Sequence, residues 1–549
     1  MIFFLALVQL FFSVVIGLYF LNQLRSQREG KNAKSLDSGR ERGRLLKMRE
    51  IHLTMPLSEK ARPGRLDDVI GQQEGIRALK AALCGPNPQH VIIYGPPGIG
   101  KTCAARLVMA QAKANPDSPF AQNAPFVEVD ATCLRFDERM FADPLIGSVH
   151  DPIYQGSGAM GAAGIPQPKE GAVTKAHGGI LFLDEIGELP PNQLNKLLKV
   201  LEDRKVMLES VYYSPSNHNI PSYIHDIFAN GLPADFRLVG ATTRSPQDIP
   251  EALRSRCMEV FFRPLSAREL ADVAASAAAR SGFEMDADCA ALAAQYAGNG
   301  RDVVNLVQMA GGMAQEEGRT SITAQDIRFV LHAVGREAVE ECLSAEPVPG
   351  EVHGLAVFGA NMGAVIRIEA AVLPAEPGQG RLVVQGLAEQ EQNSLPGRSL
   401  VRKSTALSSA ENAVLVLQKV FGLPLKDYDI YINLPGGAPV DGPSAGLALL
   451  TAVYSAYCGV PVDGKTAVTG EISLTGAVLP VGGVPAKVRA ALDKGFERVL
   501  VPSANAGLPE PQVTAVATAA QALELMLGGA ALPSLQVQPE GVLSAQGTV

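Results

Sequence analysis

At 549 residues the chain is long enough for about three domains of ordinary size. Its mild net charge of −8 provides no basic surface for nucleic acid, so no nucleic-acid partner is expected. Seven cysteines (84, 103, 133, 257, 289, 342 and 458) fall at unpaired spacings, which argues against a disulfide framework or a zinc cluster and for reduced thiols.

The chain begins with an apolar run, Ile2 to Leu21, and about 20 such residues span a bilayer as a helix. No basic segment precedes it and no small-residue cleavage site follows it, so residues 1–24 are expected to be a retained anchor instead of a signal peptide. Between Arg25 and Glu50 nine basic residues face four acidic ones, and the positive-inside rule puts everything after Leu24 in the cytoplasm. The expectation is a single-pass cell-membrane protein, with residues 25–63 as a polar linker.

Val91-Ile92-Ile93-Tyr94 reads as a buried strand running into Gly95-Pro96-Pro97-Gly98-Ile99-Gly100-Lys101-Thr102. This is a phosphate loop between a strand and a helix, the context that gives the motif meaning. Its glycines let backbone N–H groups face phosphates, Lys101 adds a point charge, and Thr102 offers an oxygen to Mg²⁺. A second apolar strand, Gly179-Ile180-Leu181-Phe182-Leu183, ends in Asp184-Glu185. Asp184 is the expected partner of Mg²⁺, and Glu185 the group that orients or deprotonates water. ATP and Mg²⁺ are therefore the expected cofactors.

Three further segments resemble the AAA+ ATPase family. Leu238-Val239-Gly240-Ala241-Thr242-Thr243 resembles its sensor-1 strand, with Thr242 preferred to Thr243. Ile249-Pro250-Glu251-Ala252-Leu253-Arg254-Ser255-Arg256 resembles its arginine-finger segment, with Arg256 aligning best and Arg254 left open; the resemblance implies a ring in which the finger reaches a neighbour's nucleotide. After Pro264 the chain turns Ala-rich and helical, and Gly298-Asn299-Gly300-Arg301-Asp302 is similar to the sensor-2 motif, with Arg301 toward the γ-phosphate. The implied units are an α/β nucleotide-binding domain at 64–264 and an α-helical lid at 265–343. Between the phosphate-site motifs, the glycine-rich stretch His150 to Gly161 is read either as a pore loop gripping substrate through Tyr154 or Met160, or as a surface loop.

From 344 to 530 mixed elements indicate an α+β domain: β-like runs at Ala364–Glu369 and Arg381–Gln385, a helix from Ser404 to Phe421 and a strand from Tyr428 to Leu434. Pro439-Val440-Asp441-Gly442-Pro443-Ser444-Ala445-Gly446 then reads as a turn leading into an apolar helix, which sets Ser444 beside free backbone donors. No histidine follows His353, so a base must come from elsewhere; Lys487, after an uncharged stretch from Ala477, serves if burial lowers its pKa. The segment from Asp441 to Gly446, with Lys487 following 43 residues after the serine, resembles the Ser-Lys peptidase domain of Lon proteases. In that family the threonine matching Thr469 helps to fix the lysine.

The resemblance covers about residues 60 to 530 and implies a bacterial membrane-anchored B-type Lon. The expected architecture is multidomain: an N-terminal transmembrane helix, an AAA+ α/β P-loop domain with an α-helical lid, and an α+β Lon-type peptidase domain. Residues 531–549 are expected to be a flexible tail. Implied with it are a homo-hexameric ring and ATP-driven degradation of unfolded or damaged proteins. The competing readings are an AAA+ remodeller with an inactive Lon-like domain, and a DNA-dependent motor.

Overall fold

The computed structural model describes residues 43–50, 57–134, 143–150, 165–210, 213–217, 220–336, 347–358, 362–386, 392–395, 398–401, 405–435 and 442–528. The chain divides into two units, 1–60 and 61–549. The first is helical where it is described, at 43–50 and Leu57–Lys60. The anchor run, the loop with Tyr154 and Met160, Asp441 and the C-terminal tail lie outside the described residues.

The expected membrane location is corrected. A spanning helix needs about 20 consecutive apolar residues, and among the described residues no helix is long and apolar enough to cross a membrane. Gly300–Glu316, at 17 residues, carries Arg301, Asp302 and Glu316 and belongs to a packed bundle. The transmembrane helix and membrane partner are withdrawn with that location.

In the second unit, helix α1 (Gln73–Leu83) precedes β1 (Val91–Tyr94), all four of whose residues are buried. Then come α2 (Lys101–Ala114), β2 (Phe126–Asp130), β3 (Ile180–Asp184), α3 (Pro191–Asp203), β4 (Arg237–Thr242) and β5 (Met258–Phe261). The strands form a parallel sheet in the order β2-β3-β4-β1-β5. Continuous apolar runs such as Ile180 to Leu183 suit strands covered on both faces. The C-terminal ends of β1, β3 and β4 lie side by side, where open α/β sheets bind ligands.

Four helices follow: α4 (Ala267–Arg280), α5 (Ala287–Gln295), α6 (Gly300–Glu316) and α7 (Ala324–Val334). Buried alanines at 274, 277, 290, 293 and 310 let their axes approach closely. Capping boxes start α4 (Ser266 with Glu269) and α7 (Thr323 with Asp326), while Asn299 caps α6.

The remainder contains β6 (Glu351–Phe358), β7 (Met362–Pro374), β8 (Leu382–Gln385), α8 (Thr405–Lys419), β9 (Tyr428–Asn433), α9 (Gly446–Cys458), β10 (Thr466–Val468), α10 (Val484–Asp493), β11 (Arg498–Pro502), β12 (Val513–Val516) and α11 (Ala519–Leu527). Seven strands form one mixed sheet, β8-β9-β7-β6-β10-β11-β12. Helix α9 is buried from Gly446 to Ser455, so its nearly uniform apolarity reflects contacts on all sides. Strands β6, β10, β11 and β12 are absent from the sequence reading. Thr466-Ala467-Val468 is too short to announce itself, and becomes a strand because β6 and β11 pair with it on either side.

Candidate active sites

The phosphate loop connects β1 to α2. Gly98 and Gly100 have φ of +75° and +93°, values that a side chain would strain. A Cβ on Gly98 would also lie 2.5 Å from Asn299 Oδ1, so the loop packs directly on the cap of α6. That oxygen accepts from the amides of Arg301 and Asp302, each at 3.0 Å, and so fixes the start of the helix that bears Arg301. Lys101 is buried, and its Nζ donates to the carbonyls of Gly95 (2.6 Å) and Pro96 (3.0 Å). Burial lowers its pKa, and Glu185 and Asp184 pull the other way. The glycine cradle, a buried cation at a helix start and two carboxylates at the end of β3 fit a nucleotide with its Mg²⁺.

Asp184 has its pKa raised, chiefly by burial, while its Oδ1 accepts the Glu185 amide at 3.1 Å. Glu185 itself has φ +47°. Its Oε2 accepts from both the amide and the hydroxyl of Thr243, each at 3.1 Å. Thr242, the residue preferred from sequence, is fully buried, and its Oγ1 accepts from the Arg244 amide at 3.0 Å. The two threonines therefore divide: Thr243 holds Glu185, and Thr242 closes its own turn.

Arg254 Nε donates to Glu259 Oε1 at 2.7 Å, and the same oxygen accepts Tyr94 Oη at 2.9 Å. Arg254 is thus tied into its own sheet. Arg256 Nη1 donates to Ala252 O at 2.8 Å and leaves much of its side chain in solvent, 3.6 Å from exposed Glu202.

In the mixed sheet, a 3₁₀ turn, Pro443–Ala445, leads into α9 and carries Ser444, half-buried. The Ser444 carbonyl accepts the Gly470 amide at 3.0 Å, and the Leu447 amide donates to Gly470 O at 2.9 Å, which clamps the turn to the segment after β10. Thr469 is fully buried there; its amide donates to Leu500 O at 3.0 Å. Lys487, on the first turn of α10, is 2% exposed, and its Nζ donates to Thr469 Oγ1 at 3.2 Å. That hydroxyl is 3.4 Å from Ser444 O and 3.5 Å from Leu355 O, long contacts that its one proton shares. Burial lowers the Lys487 pKa to about 8.

Close backbone approach holds α10 in place, because a Cβ on Gly363 of β7 would lie 2.0 Å from the carbonyl oxygen of Ala486. Neither this contact nor the role of Asn299 stands out in the sequence; a lone glycine in a strand-like run is the only signal.

A family model described as "Lon protease (S16) C-terminal proteolytic domain" matches residues 322–516, and one described as "Magnesium chelatase, subunit ChlI" matches 65–225. "Lon protease 2" of Bacillus subtilis (strain 168) is 55% identical over 499 residues, covering 91% of this chain and 90% of that protein. "Archaeal Lon protease" of Methanothermobacter thermautotrophicus is 29% identical over 70% of this chain and 61% of its own length. That of Thermococcus kodakarensis is 28% identical, again over 70% of this chain and 62% of its own.

Fold, sites and relatives together define an AAA+ ATPase domain joined to a serine peptidase domain, in a protein that works on nucleotide with Mg²⁺. The chain belongs to the Lon protease family and is an ATP-dependent serine endopeptidase. Lon proteases act on protein substrates as oligomers.

Proposed function

We propose that Ser444 and Lys487 form the peptidase dyad, with Thr469 as the residue that positions the lysine. The supporting observation is the buried Lys487 Nζ donating to Thr469 Oγ1, 3.4 Å from the Ser444 carbonyl. Thr469 uses its proton on a carbonyl and a lone pair on the lysine. A neutral Lys487 amine then still has its own lone pair for the serine proton. Ser444 Oγ attacks the peptide carbonyl as its proton passes to Lys487 Nζ. Lys487 returns that proton to the departing amine, and water then hydrolyses the ester on Ser444. We assign the oxyanion to the amides of Ser444 and Ala445, because those of Gly446 and Leu447 already donate to Pro443 O and Gly470 O. One such donor is worth about 3 kcal/mol in other serine hydrolases.

In the motor, proposed to span 64–264 with a lid at 265–343 ahead of the peptidase domain at 344–530, bound Mg²⁺-ATP supplies the phosphoanhydride whose hydrolysis drives unfolding. The backbone from Gly95 through Pro96, Pro97, Gly98, Ile99 and Gly100, with Lys101, holds the phosphates; Thr102 and Asp184 hold the metal. Glu185 orients water, with Thr243 restraining it. Arg301 faces the terminal phosphate, and Arg256 serves the neighbouring subunit of a hexameric ring through which unfolded or damaged proteins are threaded.

Casein degradation with and without ATP tests the reading. Ser444→Ala is expected to lose proteolysis while keeping ATP turnover, and Glu185→Gln to lose turnover while still binding nucleotide. Full casein degradation by Ser444→Ala would overturn the dyad.

A further inference from the structure

Beyond the N-terminal edge of the five-stranded sheet lies a solvent-open cleft of about 450 Å³, bounded by the end of α3 and the starts of β4 and β5. Three arginines, Arg204, Arg237 and Arg256, line it against one carboxylate, Asp235. Arg237 is committed to the fold: its Nε donates to Pro88 O at 2.7 Å and its Nη1 to Asp235 at 3.0 Å. Arg204 lies 3.8 Å from the other Asp235 oxygen with its side chain 65% exposed, a contact that water weakens. His90, also in the wall, accepts the Leu238 amide on Nδ1, and its pKa is lowered to about 4, first by burial and then by Arg237. The cleft is thus net cationic: Arg204 and Arg256 are its exposed guanidinium groups, set beside the part-exposed carboxylate of Asp235 and, 3.6 Å from Arg256, that of Glu202.

The backbone at Arg204 is a second observation. It caps α3 at φ +55°, ψ +25°, where glycine is the relaxed residue. Among the described residues only Glu185, in the ATPase site, is another non-glycine residue with positive φ. Retaining a long cation in a strained cap points to a use for that cation.

Neither arginine can serve its own phosphate loop. The loop leaves the C-terminal end of β1, whereas residues 88–90 and 256–258 flank the N-terminal ends of β1 and β5. Four residues of strand separate those edges by about 13 Å.

We propose that Arg204 is a second arginine acting in trans beside Arg256, and that the cleft receives the terminal phosphates of the nucleotide held by the adjacent copy of the chain. The inference rests on the ring reading above. Guanidinium groups suit the task because their planar forks pair with phosphate oxygens two at a time.

The test compares Arg204→Ala, Arg204→Gly and Arg256→Ala for ring assembly, ATP turnover and the release rate of a fluorescent ATP analogue. Arg204→Gly relieves the left-handed cap and so keeps the test valid if alanine unsettles α3. Both Arg204 variants are expected to assemble, to lose ATP turnover at least about tenfold and to release the analogue faster. Co-expressing Arg204→Ala with Lys101→Ala is expected to restore part of the turnover, because an intact phosphate loop of the first that adjoins the second meets an intact Arg204. Unchanged turnover and release in the Arg204 variants overturn the proposal, as does a loss that mixing leaves in place. Arg256→Ala separates the two readings: its loss of turnover beside a normal Arg204→Gly sinks only the role of Arg204, while full turnover in both sinks the ring reading too.

Discussion

Lys487 Nζ donates to Thr469 Oγ1 at 3.2 Å, and both side chains are shut off from solvent. A hydroxyl that accepts from an ammonium favours the charged form, whereas burial favours the neutral one. Burial wins, and the pKa falls to about 8. A lysine acting as base must be neutral, so peptide cleavage should rise as pH passes through about 8. Thr469→Val removes the acceptor and leaves burial in place, which lowers the pKa further. The rising limb of the pH profile is expected to move to lower pH, while cleavage at its optimum drops about 10- to 100-fold because the amine is no longer aimed. A pH series with a fluorogenic peptide checks this; a Thr469→Val profile that keeps its midpoint would show that the hydroxyl does not touch the base.

The same burial has a thermodynamic cost. A lysine held at about 8 when folded and 10.5 when unfolded loses protons on folding between those values. Its penalty is complete below about 8 and fades as pH rises toward 10.5, amounting to about 3 kcal/mol at pH 7. Lys487→Met keeps the length of the side chain and removes the charge. It should abolish proteolysis yet stabilise the peptidase region by about 2–3 kcal/mol at pH 7, a gain that shrinks by pH 10. Urea titrations at the two pH values measure it, and a destabilised Lys487→Met at pH 7 would contradict the assigned cost.

Gly363 gives a prediction that no motif supplies. A methyl there would sit 2.0 Å from Ala486 O, a backbone atom that cannot rotate away, on the residue preceding Lys487. Gly363→Ala must therefore push α10 off β7, at a cost of about 1–3 kcal/mol, and displace the lysine from Thr469. Proteolysis is expected to fall far more than ATP turnover, which depends on residues at the other sheet. Equal loss of both activities would mean that the substitution unfolds the chain without specifically moving the base.

Legibility followed how local each feature is. The phosphate loop, Asp184-Glu185 and the serine turn each lie in one contiguous run, so residue type and order were enough to propose a chemistry for each. Helix α8 matched the expected run from Ser404 to Phe421 to within two residues at each end, and α9 begins at Gly446 as the turn before it implied. What escaped were features made by contact between distant segments: the central strand β10, three residues long and paired on both edges; the Gly363–Ala486 approach; and the cap of α6 resting on Gly98. Arg204 escaped for a different reason, since a helix ending in a left-handed residue is announced by glycine and here has none.

The adjacent threonines at the end of β4 make different contacts, because where the strand stops decides which hydroxyl reaches Glu185. Thr242 is its last residue and points inward; Thr243 lies past the end and reaches Glu185. Thr242→Val would leave the Arg244 amide without its acceptor in a half-buried turn, a cost of about 1–3 kcal/mol in stability. Thr243→Val keeps the amide that also donates to Glu185 and loses only the hydroxyl, so its fold should be intact. If that hydroxyl aims the carboxylate at water, kcat for ATP should fall about tenfold or more with KM little changed, since the interaction matters only in the reacting state. Thermal unfolding and steady-state ATP turnover on the two variants separate the roles. A Thr242→Val protein of normal stability that lost turnover, beside a fully active Thr243→Val, would reverse the assignment.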